Sequence, residues 1–172
     1  CVDGVLIMEL VTDSEGLVAP RLSEVVMSAE EALEGHAAVM RFVVQMLCAG
    51  LVHGDLSEFN ILVDEQGPVI IDLPQAVDAA ANNNAEAMLE RDVNKISSYY
   101  GQFAPQLLQT RYAKEIWKLY EDGELRPDTA LTGLFADSTE AADVGAVLEV
   151  IESAIEEERE RQERIADAES AP

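Results

Sequence analysis

The sequence predicts an α+β domain, mainly helical, with one small β-hairpin. Two observations carry this. Apolar residues recur at helical spacing in several separate stretches, and two short apolar runs flank a turn-forming tetrad. The length of 172 residues suits one domain with a proper core and is marginal for two.

Residues 5–11 read as a buried strand that leaves through a connector, and Gly16 and Pro20 punctuate the mixed stretch that follows. A helix is predicted from Ala29 to Ala49. Ser28 suits its N-cap, and Glu30 and Glu31 fall in the first turn, where the helix dipole favours them. Leu33, Ala37, Met40, Val44 and Leu47 mark its apolar stripe, and Gly50 stops it. Residues 51–63 are a loop between short apolar pieces. Ile61-Leu62-Val63 and Val69-Ile70-Ile71 flank Asp64-Glu65-Gln66-Gly67, the pattern of a hairpin. A second helix is predicted from Ala85 to Phe103. A third starts near Pro105, runs to Tyr120 and ends at Asp122-Gly123. Residues 124–139 are irregular. A last helix begins near Thr139, with Val144, Val147, Leu148, Ile151 and Ile155 on one face and a solvated acidic extension beyond.

Composition bounds the function. Eleven Lys and Arg face 34 Asp and Glu, a formal net charge of -23. That surface repels phosphate backbones and anionic lipid, so neither direct nucleic-acid binding nor membrane binding by this chain is expected. No apolar run is long enough for a membrane span. Cys1 and Cys48 make no disulfide framework, which points to a reducing, cytoplasmic setting. The chain opens on Cys1, close to an apolar run, and reads as a piece of a longer protein entered within its fold.

The informative stretch is His53-Gly54-Asp55-Leu56-Ser57-Glu58-Phe59-Asn60, followed by Ile71-Asp72. A loop presents Asp55, and Asn60 lies five residues on. The hairpin folds the chain back, so Asp72 can approach Asn60. One carboxylate beside an acceptor hydroxyl, with an amide oxygen and a second carboxylate converging on a hard cation, suits phosphoryl transfer. The spacing His-x-Asp-x-x-x-x-Asn, followed by a metal-binding Asp, is that of a kinase catalytic loop.

From Leu51 to Leu62 the sequence resembles the catalytic loop of the RIO kinases, and from Val69 to Val77 it is similar to their metal loop, with Asp72 and Gln75 three apart. Leu6 to Val11 resembles their hinge strand. Glu90 to Ile96, with Tyr99-Tyr100, resembles the helix that follows. Leu131-Thr132-Gly133-Leu134-Phe135 resembles bacterial members, and the nearest branch is the RIO1-like one. The resemblance implies the mainly helical C-terminal lobe of a protein-kinase-like fold, without its N-terminal lobe. Residues 1–12 would be hinge strand and connector, 13–138 the lobe, and 139–172 a C-terminal helix with its acidic tail.

The resemblance also implies roles. Asp55 would orient or deprotonate the nucleophile. Asn60 and Asp72 would hold Mg²⁺ (or Mn²⁺), and Asp72 could itself accept phosphate. Glu9 and Val11 would face the adenine edge of ATP, with Met8 behind them and Leu62 and Ile71 as an apolar floor. Ser57 and Glu58 would lie beside phosphate and metal. The implied activity is that of an atypical serine/threonine kinase or ATPase acting on a protein substrate, with a family link to ribosome assembly.

Some residues depart from ordinary protein kinases. Ser57 stands where they carry Lys, and Asp72-Leu73-Pro74 replaces Asp-Phe-Gly. No glycine-rich phosphate loop with a paired strand lysine is found in these residues, so the chain is expected to be inactive alone. One rival reading is a small-molecule phosphotransferase of the aminoglycoside or choline kinase kind. Another is a nonenzymatic acidic interaction module. Elsewhere structure is expected to outweigh chemistry. His53 would brace its loop and His36 would be structural. Trp117 and the tyrosines would pack helices, and Gln75 could hydrogen-bond either the metal loop or the ligand.

Overall fold

Ser28 and Glu31 close the first helix with a reciprocal cap. The Ser28 hydroxyl accepts from the Glu31 N–H at 3.2 Å, and the Glu31 carboxylate accepts from the Ser28 N–H at 2.7 Å. These bonds hold the Glu31 carboxyl below its usual range. Helix α1 then runs over Ala29–Cys48 and gives way at Gly50, whose φ is 81°. The structure, a computed structural model, describes residues 10–13 and 15–136. Most of the expected strand at 5–11 and the expected last helix lie outside the described residues, as do Met8 and Glu9.

Four short strands follow α1: β1 (Leu51–Val52), β2 (Ile61–Asp64), β3 (Gly67–Ile70) and β4 (Val77–Asp78). Strands β2 and β3 are the expected hairpin, antiparallel, with Ile61 opposite Ile70 and Asp64 opposite Gly67. The turn is made by Asp64, whose Oδ1 accepts from the N–H of Gln66 and of Gly67. A second, two-residue ladder joins β1 to β4, with Val52 opposite Val77. It brackets the segment that holds Asp55, Asn60 and Asp72. Upstream, a connector lies along the hairpin edge. Val63 N–H donates to the Pro20 carbonyl, and Arg21 bridges to Leu62.

Helices α2 (Ala85–Tyr100) and α3 (Tyr112–Glu121) complete the element order. Helix α2 ends at Tyr100 rather than Phe103, because Gln102 and Phe103 donate to carbonyls only three residues back. The single third helix expected from Pro105 is two elements, a 3-10 turn over Pro105–Gln109 and then α3. Thr110 causes the break: its hydroxyl and its N–H both turn back to the Leu107 carbonyl, and the next N–H, of Arg111, donates to Gly133. Glu115 then anchors the irregular stretch, accepting from the amides of Thr132 and Gly133.

The core lies between α1, α2 and the underside of the loops. Val39, Leu47, Val52, Leu56, Ile61, Val93 and Ile96 are all buried. The α1 stripe differs from expectation in its first half. Leu33 and Ala37 are exposed, and Ala32 and His36 take the inward positions. His36 fits there because α2 offers it a partner, Ser97 Oγ at 2.9 Å, and because the rings of Tyr100 and Tyr112 flank it. Gly35 lets Tyr100 approach; a Cβ there would sit 2.9 Å from the Tyr100 hydroxyl. Tyr99, on the same helix, donates to the Leu22 carbonyl at 2.7 Å and pins the connector to α2. No helix among the described residues is long and apolar enough to cross a membrane.

Candidate active site

Two loops meet beneath β1 and the hairpin. In the first, burial alternates: His53 and Leu56 are buried and Asp55 between them is exposed. Sinking Leu56 into the core fixes the loop from below, a term of about 1.5–3 kcal/mol for a fully buried leucine. Asn60 folds back over the loop, donating from Nδ2 to the Asp55 carbonyl at 2.8 Å. That bond employs the amide nitrogen and leaves Oδ1 as the end available to a cation.

The second loop is held to the first by backbone. Ile71 N–H donates to the Asn60 carbonyl at 3.0 Å, which carries the hairpin ladder one step further and sets Asp72 next in the chain. His53 completes the join. The Asp55 N–H can only donate, so Nδ1 of His53 accepts from it at 3.3 Å, and the proton sits on Nε2, which donates to the Ile71 carbonyl at 3.1 Å. His53 therefore braces both loops, in the structural role expected of it.

Asp72 is exposed and has a φ of 68°, the one positive φ among the described non-glycine residues. A residue with a Cβ pays for that conformation, and Asp tolerates it better than most. The loop holds a carboxylate where glycine would be easier, which marks a position to be explained by chemistry rather than by stability.

The other expected positions divide. Ser57 and Glu58 are half-buried; the Ser57 carbonyl accepts from Asn60 N–H, and Glu58 faces α2, where burial first and then the Glu58 charge push the Tyr99 hydroxyl up. Leu62 and Ile71 are half-buried, and the Val11 carbonyl accepts from Ala19 N–H. Phe59 and Leu73, one on each loop, are exposed apolar side chains at 54% and 51%.

Helix α2 contributes three residues that the sequence did not single out as parts of a site. Asp92, only 2% exposed, accepts from the Gly54 N–H at 2.7 Å. Burial pushes its carboxyl up, while the amides of Gly54 and Leu56 and the Arg91 charge pull it back. Its other oxygen has no hydrogen bond among the described residues and lies 3.8 Å from Arg91 Nη2. Arg91 donates to the Gly54 carbonyl, and Lys95 Nζ lies 3.4 Å from Asp55 Oδ1. Gly54 is the contact point. Its φ is 83°, and a Cβ there would come within 2.6 Å of the Gln75 carbonyl and 2.7 Å of Met88. A glycine between His53 and Asp55 and an aspartate 38 positions downstream carry no local signal of this contact; only the packing of α2 under the loop reveals it.

Residues 1–113 match the RIO domain family. The chain belongs to the RIO family. Among its relatives is the RIO-type serine/threonine-protein kinase Rio1 of Haloferax volcanii, 40% identical over 99 residues, covering 56% of this chain and 32% of that protein. The RIO-type serine/threonine-protein kinase Rio2 of Methanocaldococcus jannaschii is 42% identical over 78 residues, 45% of this chain and 28% of the relative. The human serine/threonine-protein kinase RIO1 is 31% identical over 108 residues, 62% of this chain and 19% of the relative. The chain thus spans a third or less of the length of these RIO proteins. Its α+β architecture, with three helices and two small antiparallel sheets among the described residues, is compatible with a RIO domain.

Proposed function

We propose that this chain is the C-terminal lobe of a RIO-type serine/threonine kinase or ATPase and carries its catalytic and metal loops. The observation that carries the reading is the join itself: Asn60 bonded to Asp55, Ile71 bonded to Asn60, and His53 bonded to both loops. The naming of the matched relatives as serine/threonine kinases favours it over a small-molecule phosphotransferase.

In this reading Asp55, exposed on its braced loop, accepts or orients the proton of an acceptor hydroxyl. Asn60 Oδ1 and the Asp72 carboxylate hold Mg²⁺ on the terminal phosphates of ATP. Two hard oxygen donors suit an ion that keeps most of its shell for water and phosphate. The bound ion supplies charge neutralisation to the transferring phosphoryl group. Ser57 and Glu58 line the loop between the two roles, and Leu62 and Ile71 offer apolar surface to the base.

The test is transfer from γ-labelled ATP by the full-length protein. Mg²⁺-dependent label is expected, with losses of roughly 10²-fold or more in Asp55→Ala and in Asp72→Ala. Label stable to hydroxylamine marks a hydroxyl acceptor, and hydroxylamine-labile label marks Asp72 itself. The 172 residues alone are expected not to turn over ATP. Transfer unaffected by either substitution sinks the reading.

A further inference from the structure

Between Arg41 and Arg111 the sequence carries two basic residues, Arg91 and Lys95. In a chain of net charge -23 that is a long stretch with little positive charge. The two lie one helical turn apart on α2, and both point at the catalytic loop. Their situations differ. Arg91 is tied to the Gly54 carbonyl and sits beside Asp92, so its charge is spent on the loop's backbone. Lys95 meets Asp55 alone of the loop, at 3.4 Å, with its side chain 41% exposed and that of Asp55 56% exposed. Lys95 also lines an open groove of about 540 Å³ along α2, shared with Glu58, Arg91 and Tyr99. The ammonium therefore has room to move without breaking any buried contact.

Position 57, two residues after Asp55, is a serine and carries no charge. In the proposed reading a nucleotide's terminal phosphate approaches the carboxylates of Asp55 and Asp72, with Glu58 nearby on the same loop as Asp55. A cation on the Asp72 side answers only part of that repulsion.

We infer that Lys95 is the second cation of the transfer site: it neutralises Asp55 in the free protein and moves onto the transferring phosphoryl oxygens in the transition state. The inference rests on the kinase reading above and adds to it a residue from a different element. In the step it serves, the acceptor hydroxyl oxygen bonds to the terminal phosphorus. The bond from that phosphorus to its bridging oxygen breaks, and ADP leaves with the electron pair. The hydroxyl proton passes to Asp55. Lys95 forms and breaks no covalent bond; its charge lies where negative charge accumulates.

The experiment compares wild type, Lys95→Met, Lys95→Arg and Lys95→Met/Ser57→Lys in the full-length protein. Three readouts are taken: kcat and KM for ATP, affinity for ADP, and affinity for ADP with aluminium fluoride as the transition-state mimic. Lys95→Met is expected to lower kcat by roughly 30- to 300-fold with KM changed less than about threefold, the range for losing one transition-state charge contact. Affinity for the aluminium fluoride complex falls by about tenfold or more, while ADP affinity stays level. Lys95→Arg keeps most of kcat, and the relocated lysine at position 57 restores at least about a tenth of it. Three results overturn the inference while leaving the kinase reading intact: Lys95→Met within twofold of wild type, equal losses for ADP and the mimic, or Lys95→Arg as weak as Lys95→Met. A wild-type protein without transfer to any acceptor fails the kinase reading itself, and this inference with it.

Discussion

Two places in this molecule set a buried histidine beside a glycine, and they do opposite work. Gly35-His36 lies on α1, where the glycine admits Tyr100 and the histidine meets Ser97 and two aromatic rings. His53-Gly54 lies in the first loop of the candidate site, where the glycine touches the Gln75 carbonyl and the histidine bonds two loop backbones. At the first, side chain meets side chain and the result is a close helix crossing. At the second, backbone meets backbone and the result is the relative position of Asp55 and Asp72. The helical site can yield a little by shifting a ring. The loop site has a peptide carbonyl against it and cannot.

The largest expected effect follows from that contrast. Gly54→Ala combines a positive φ with overlap of a backbone oxygen and should destabilise by roughly 3–5 kcal/mol. Chemical denaturation measures it; a loss below about 1 kcal/mol would mean that the loops are not in contact here. Asp92→Ala comes next, at about 2–4 kcal/mol, because the Gly54 amide loses its buried acceptor. Hydrogen exchange should quicken at Gly54 and Leu56 while the α1–α2 amides near Gly35 hold. Uniform quickening would show that Asp92 supports the whole core instead.

A third test separates the histidines by pH. Burial pushes His36 down to about 4 from its ordinary 6.5, so the unfolded chain binds a proton that the folded one refuses. The contribution is complete above pH 6.5 and is lost as pH falls toward 4, about 2–3 kcal/mol in all. Melting curves at pH 7 and pH 4.5 should show the wild type losing more stability than His36→Gln; an equal loss in both removes His36 as the cause. The smallest effect is Gly35→Ala, a net loss of about 1–2 kcal/mol. Overlap with Tyr100 there outweighs the roughly 1 kcal/mol that alanine ordinarily adds to a helix. Adding Tyr100→Phe should recover part of it, and no recovery would point away from the hydroxyl contact.

Much of this was legible in the sequence because it is local. The N-cap at Ser28, the stop at Gly50 and the Asp64–Gly67 turn are each written in a few adjacent residues, and the structure has them. The loop that carries Asp55 and Asn60 and the hairpin that returns the chain to Ile71 were legible the same way, and the backbone joins Ile71 to Asn60. What escaped was everything that needs a partner far along the chain. His36 displaced Leu33 from the core because Ser97 and Tyr100 lie 61 and 64 positions away. The ladder of β1 with β4 is two residues long, too short to leave a periodic trace. The third helix broke at Thr110 because its hydroxyl took the Leu107 carbonyl and a distant carbonyl, of Gly133, took the Arg111 amide. Nothing near Lys95 in the sequence signals its meeting with Asp55, 40 positions away, which α2 brings about.

Asp72 turns the usual guide to protein improvement on its head. A search for firmer variants, ranked by melting temperature, would favour Asp72→Gly, since glycine takes a φ of 68° without strain. Such a variant would survive heating better and, in the function proposed above, would have discarded a carboxylate that holds the metal ion. On that proposal, thermal robustness is a poor proxy for competence, and screening should weigh the two separately.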